Sequence, residues 1–120
     1  MFIKDLEMCE ENLAGDNSIL RELLNPHKDD IKINYSLAYA KVLPGDVTKP
    51  HKLKSSEVYY ILQGEGEMFM DTEKENVKQG QAVYIPPNTI QLIRNTGEGD
   101  LIFLCIVDPA WKFEDEDVIK

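Results

Sequence analysis

From Ile31 onward, apolar residues come in short runs that alternate with polar ones and stop at turn-forming residues. INYSLAYAKV runs into Pro44-Gly45-Asp46, EVYYIL into Gln63-Gly64-Glu65-Gly66, and EMFMD into the polar stretch from Thr72 to Asn76. AVYI stops at Pro86-Pro87-Asn88, QLIRN at Thr96-Gly97-Glu98-Gly99, and LIFLCIV at Asp108-Pro109. Short β-rich runs with turns at intervals of about 8–12 residues predict an all-β sandwich or barrel. No helical period intervenes between them, which argues against a βαβ sheet. The segment before Ile31 has a different period. Ile19, Leu20, Leu23 and Leu24 fall on one helical stripe, with Asp16-Asn17-Ser18 as N-cap chemistry and Asn25-Pro26 as a stop. That pattern predicts a short N-terminal helix, too short to stand alone and so docked on the strands. The expected organisation is one domain overall: residues 1–30 as an arm with the helix, 31–108 as the barrel, and 109–120 as an acidic tail.

Alternation also assigns faces, since side chains on a strand switch sides at every residue. His51 and Leu53 share one face, as do Glu57, Tyr59 and Ile61, while Val58, Tyr60 and Leu62 point the other way. Both faces read as apolar, as in a barrel strand covered inside and out. Glu57 is then the conspicuous residue, because a buried carboxylate is costly unless it is paired, hydrogen-bonded or bound to a cation.

Charge narrows the partners. The formal net charge is −9 without any Lys/Arg cluster, so a nucleic-acid backbone or an anionic membrane face would be repelled. Much of the excess lies in Glu7–Glu11 and Glu114–Asp117, read as solvated termini. No apolar run reaches the roughly 20 residues of a membrane span, and the acidic start MFIKDLEMCEENL does not read as a secretory signal, so the expected location is cytoplasmic. Cys9 and Cys105 match neither a redox pair nor a zinc knuckle, and Cys105, inside LIFLCIVD, reads as core. Trp111 and Phe113 are read as apolar anchors that fold the tail back over the barrel or onto a neighbouring subunit.

Two spacings carry a family resemblance. Gly45, five residues, His51, Lys52, Leu53, three residues, Glu57, six residues and Gly64 follow the frame G-x5-H-x-H-x3,4-E-x6-G, with Leu53 at the second His. Gly80, five residues, Pro86, Pro87, Asn88, two residues, Gln91, three residues and Asn95 follow G-x5-P-x-G-x2-H-x3-N, with Asn88 for the glycine and Gln91 for the His. The chain thus resembles the cupin superfamily over about Tyr35 to Val107, which implies a double-stranded β-helix, or jelly-roll barrel. Asn88 suits a turn glycine's place because Asn tolerates the left-handed region.

The resemblance also implies a metal-binding site inside the barrel, built from three His and one Glu. Carried over, it leaves His51 and Glu57, with Gln91 offering an amide oxygen and Leu53 nothing. A divalent metal (Mn, Fe, Ni or Zn) held by His51, Glu57 and Gln91 is one expectation; a metal-free polar pocket with His51 and Glu57 paired is the other. Tyr35, Tyr39 and Tyr59 are candidate walls for a small polar ligand such as a sugar or carboxylate. The function read from these residues is binding of a small polar molecule. The alternatives are a cupin enzyme (isomerase- or dioxygenase-type, metal-assisted or using Glu57 and His51 as acid and base) and a structural barrel acting through dimerisation. A homodimer is implied by the resemblance alone.

Overall fold

The computed structural model describes residues 1–119 and contains eleven strands. They are β1 (Glu11–Leu13), β2 (Ile19–Leu24), β3 (Ser36–Val42), β4 (His51–Leu53), β5 (Ser56–Gln63) and β6 (Glu65–Met70). Then follow β7 (Glu73–Lys78), β8 (Ala82–Ile85), β9 (Gln91–Asn95), β10 (Leu101–Asp108) and β11 (Glu116–Val118). Two antiparallel sheets form from them, one six-stranded in the order β1-β2-β3-β10-β5-β8 and one five-stranded in the order β11-β4-β9-β6-β7. This is the all-β barrel that the strand pattern predicted, in the jelly-roll form that the family resemblance implied. No helix among the described residues is long and apolar enough to cross a membrane.

The predicted N-terminal helix is absent: Ile19–Leu24 is strand β2, and among the described residues the only helical pieces are 3-10 turns at Leu6–Met8 and Phe113–Asp115. β2 pairs with β3 from Ile19↔Lys41 to Leu24↔Leu37, with a register shift between Glu22 and Leu24. That irregularity resets the alternation, so two adjacent apolar pairs imitate a helical stripe. Six residues gain little from helix formation in isolation, whereas the edge of β3 offers a ready ladder of backbone partners. The Asp16-Asn17-Ser18 chemistry serves a turn instead of a cap. Asp16 Oδ1 accepts from Ser18 N at 3.0 Å and Ser18 Oγ at 2.7 Å, and Asn17 takes φ 74°. β1 and β2 thereby form a hairpin, and the arm becomes part of the six-stranded sheet.

The tail is likewise structural. β11 pairs with β4 as Glu116↔Leu53, Asp117↔Lys52 and Val118↔His51, extending the five-stranded sheet. Trp111 anchors the approach, its backbone N donating to Ser36 Oγ at 2.8 Å and its carbonyl accepting from the buried Asn25 Nδ2 at 2.9 Å. The arm and the tail therefore supply strands to the two sheets rather than flanking a finished barrel.

The core lies between the sheets and includes Ala40, Val42, Ile61, Met68, Ile85, Ile93, Leu101 and Phe103. β10 alternates strictly, Leu101, Phe103, Cys105 and Val107 facing in. β5 buries Glu57, Tyr59 and Ile61 as expected, but its other face is not covered: Tyr60 and Leu62 are exposed. Asn88 sits at φ 61°, the left-handed conformation its place in the motif requires. Gly64, at φ 90°, has no room for a side chain, since a Cβ there would lie 2.8 Å from the Asp100 carbonyl oxygen.

Candidate ligand site

Where the packed core ends, Tyr59, Phe103 and Cys105 become one wall of a cavity of about 470 Å³. Leu20 and Ala38 close a second side, and Asp16, His51, Leu53, Glu57, Trp111 and Glu116 complete it. Its size is that of a small-molecule pocket.

Strand pairing assembles its polar floor. Gln91 on β9 lies opposite His51 on β4 and is 1 % exposed, so its amide must be satisfied from within. Gln91 Oε1 accepts from the Tyr59 hydroxyl at 2.9 Å, and Gln91 Nε2 donates to Glu57 Oε1 at 2.8 Å. The chain of hydrogen bonds fixes Glu57 while leaving Oε2 without a protein partner on the cavity side. Burial pushes the Glu57 carboxyl up to about 8, the Gln91 hydrogen bond opposes the rise, and the charges of Asp16 and Glu116 add to it. Burial first, and the Glu57 charge second, hold the Tyr59 hydroxyl and the Cys105 thiol well above their ordinary values. Cys105 is both core and cavity wall, and that environment disfavours its thiolate.

His51 is 3 % exposed and engaged on both nitrogens. Nδ1 lies 2.8 Å from the Lys49 carbonyl oxygen, which can only accept, so Nδ1 carries a proton. Nε2 faces Asp16 Oδ2 at 3.4 Å. Glu116, opposite Leu53 in register, accepts from Trp111 Nε1 at 3.3 Å. Burial raises its pKa, His51 and the Trp111 hydrogen bond oppose that, and Asp16 adds to it.

The structure thus places His51, Glu57 and Tyr59 on the cavity, sets Gln91 behind it as the hydrogen-bond partner of Tyr59 and Glu57 rather than in the lining, and separates Tyr35 and Tyr39 from them. Tyr35 is exposed, and Tyr39 lies on the outward face of β3, because the inward positions of that strand are Ser36, Ala38, Ala40 and Val42. These two tyrosines do not line the cavity. Asp16 and Glu116 do, and sequence reasoning missed both. Asp16 was hidden in a supposed helix cap and Glu116 in a supposed solvated tail. The available signal was the alternation of Glu116 and Val118 about Asp117, the mark of a short strand.

The donor set does not fit the metal centre that the motif frame implies. Gln91 Oε1 is occupied by the Tyr59 hydroxyl, His51 Nε2 is covered by Asp16, and Leu53 has no donor, which leaves Glu57 Oε2 alone. Among the described residues no three His, Cys, Asp or Glu side chains are grouped closely enough to hold a metal ion.

Fold and motif frame together define a cupin, and residues 38–107 match the cupin domain family model. The chain belongs to that family. It is 43% identical over 109 residues to an uncharacterized protein of Methanocaldococcus jannaschii, covering 90% of this chain and 86% of the relative. It is 29% identical over 128 residues to a glucose-6-phosphate isomerase of Thermococcus onnurineus, covering 95% of this chain and 67% of that one. Among solved structures, a cupin 2 conserved barrel domain protein from Salinispora arenicola CNS-205 superposes with a TM-score of 0.77 at 18% identity. That match covers 95% of this chain and 91% of the other, and it speaks to the fold alone.

Proposed function

We propose that this cupin binds a small polar molecule in its interior cavity, with Glu57 as the anchoring group. The observation that carries the reading is the wiring of the floor. Tyr59 and Gln91 fix Glu57 Oε1, while Oε2 is left for a guest in a cavity of about 470 Å³. A preorganised buried group with one unspent valence is how a small site obtains specificity without rearrangement. The test is a thermal-shift panel of sugars, small carboxylates and amines on wild type and on His51→Ala/Glu57→Gln. A guest raises the melting temperature by mass action, and the double variant, still folded, loses the response. Hits that survive unchanged in the double variant overturn the reading.

One observation favours the enzyme alternative. A carboxyl titrating near 8 exchanges a proton readily at neutral pH, and Glu57 Oε2 faces the space a substrate would fill. Its chemistry would then be proton transfer, and one relative is named as an isomerase.

A homodimer is proposed through the outer face of the six-stranded sheet, where Tyr60 and Leu62 on β5, Tyr84 on β8 and Ile106 on β10 are exposed together. β5 is flanked by β8 and β10, so the four side chains form one apolar patch, and a second copy presents the same patch to it.

A further inference from the structure

The cavity is lined by groups of one sign once the internal pairs are removed. Its bases are His51 and Lys28, and its acids are Asp16, Glu22, Glu57 and Glu116. Lys28 is committed, its Nζ paired with Glu22 Oε2 and held 5.6 Å from the centre of the Trp111 ring. His51 is committed to the Lys49 carbonyl and to Asp16. Glu57 forms no ion pair, Glu116 is bonded to Trp111 Nε1 and shares with Asp16 the influence of His51, and Glu57, only 6 % exposed, keeps Oε2 free toward the cavity. An anionic guest entering here meets two carboxyl groups and no uncommitted cation among the described residues. An ammonium group meets the reverse: one carboxyl oxygen open to the cavity, a second carboxylate beside Trp111, and apolar walls from Leu20, Phe103 and Val107 for an alkyl chain. Charge-assisted hydrogen bonds of that kind are strong in a buried site.

Resting on the reading of the cavity as a small-molecule site, we propose that its guest is a small organic amine, bound as the ammonium by Glu57 Oε2 and Glu116. Phosphorylated sugars are excluded by the same charges.

The experiment is isothermal titration calorimetry at low salt with three probes of similar or smaller size than the cavity: 1,4-diaminobutane, its neutral counterpart 1,4-butanediol, and glucose 6-phosphate. The diamine is expected to bind one per chain, about tenfold or more tighter than the diol, with no heat from the phosphate. Glu57→Gln and Glu116→Gln, each checked for native circular dichroism, are expected to lose about tenfold or more of the diamine affinity and little of the diol's. Binding below pH 8 is also expected to expel a proton, read as a dependence of the heat on the buffer's ionisation enthalpy. A diol equal to the diamine, binding of the phosphate, or Mn²⁺ saturating the carboxylates ahead of the diamine overturns the amine. Those outcomes leave a cavity that binds small molecules. Heat from none of the probes, together with an empty thermal-shift panel, overturns both readings.

Discussion

Replacing Glu57 by Gln isolates the energetic consequence of burying this carboxyl. The isostere keeps the shape of the floor and can still accept from Gln91 Nε2, while losing the charge. In the wild type the carboxyl rises from its ordinary 4.5 to about 8. Between those values the folded state retains a proton that the unfolded chain has released. Stability therefore falls as pH rises, by about 1.4 kcal/mol per pH unit from this group. Below 4.5 both states are protonated and the site costs nothing; above 8 both are ionised and the full penalty is present. The full penalty is about 5 kcal/mol, a large fraction of the 5–15 kcal/mol typical of a domain. Urea denaturation of both proteins from pH 4 to 9 gives the difference directly, because other titrating groups largely cancel. Glu57→Gln is expected to gain on the wild type by about 3 kcal/mol between pH 4.5 and 7, and to stop gaining above pH 8. Parallel stability profiles would refute the buried, unpaired carboxyl.

Other consequences are smaller and independent. Tyr59→Phe leaves the buried Gln91 Oε1 without its donor and is expected to cost about 1–3 kcal/mol by denaturation, the Phe103 ring contact at 4.4 Å being retained. Asn88→Gly is expected to be neutral within about 0.5 kcal/mol and Asn88→Ala to cost about 1 kcal/mol, since the position holds φ 61°. Gly66→Ala places a Cβ 2.6 Å from the Arg94 carbonyl oxygen, a backbone atom within a strand pair, and is expected to abolish soluble folded protein or lower its melting temperature steeply. Tyr84→Glu with Ile106→Glu is expected to halve the mass seen by sedimentation equilibrium if the outer face of the six-stranded sheet joins two copies.

The barrel was legible because both of its signals are local. Turn residues punctuate the strands, and the spacing from Gly45 to Gly64 and from Gly80 to Asn95 fixes the two halves of the motif frame. The neighbourhood of His51, Glu57 and Gln91 was legible for the same reason, since all three fall inside that frame. Its charge balance was not. Asp16 reaches His51 only after a hairpin adds β2 to β3, and Glu116 arrives only when β11 pairs with β4. Those pairings join residues far apart in the chain, and acids near a terminus look solvated until a strand partner is known. Ile19–Leu24 misled for a related reason: one irregularity in a six-residue strand turned period two into an apparent helical stripe. Tyr39 lies on the outward face of β3 and Tyr35 in the bend before it, and spacing could not say which face was inward.

The central claim is that the motif frame here encloses a pocket for an organic guest in which the metal donors have been reassigned to internal hydrogen bonds. Untagged protein purified without chelator, measured by native mass spectrometry and elemental analysis on one sample, tests it most directly. The account predicts the mass of a small organic guest, absent from His51→Ala/Glu57→Gln, with transition metal well below one equivalent per chain. One equivalent of metal with no organic guest, lost in the same double variant, would contradict it.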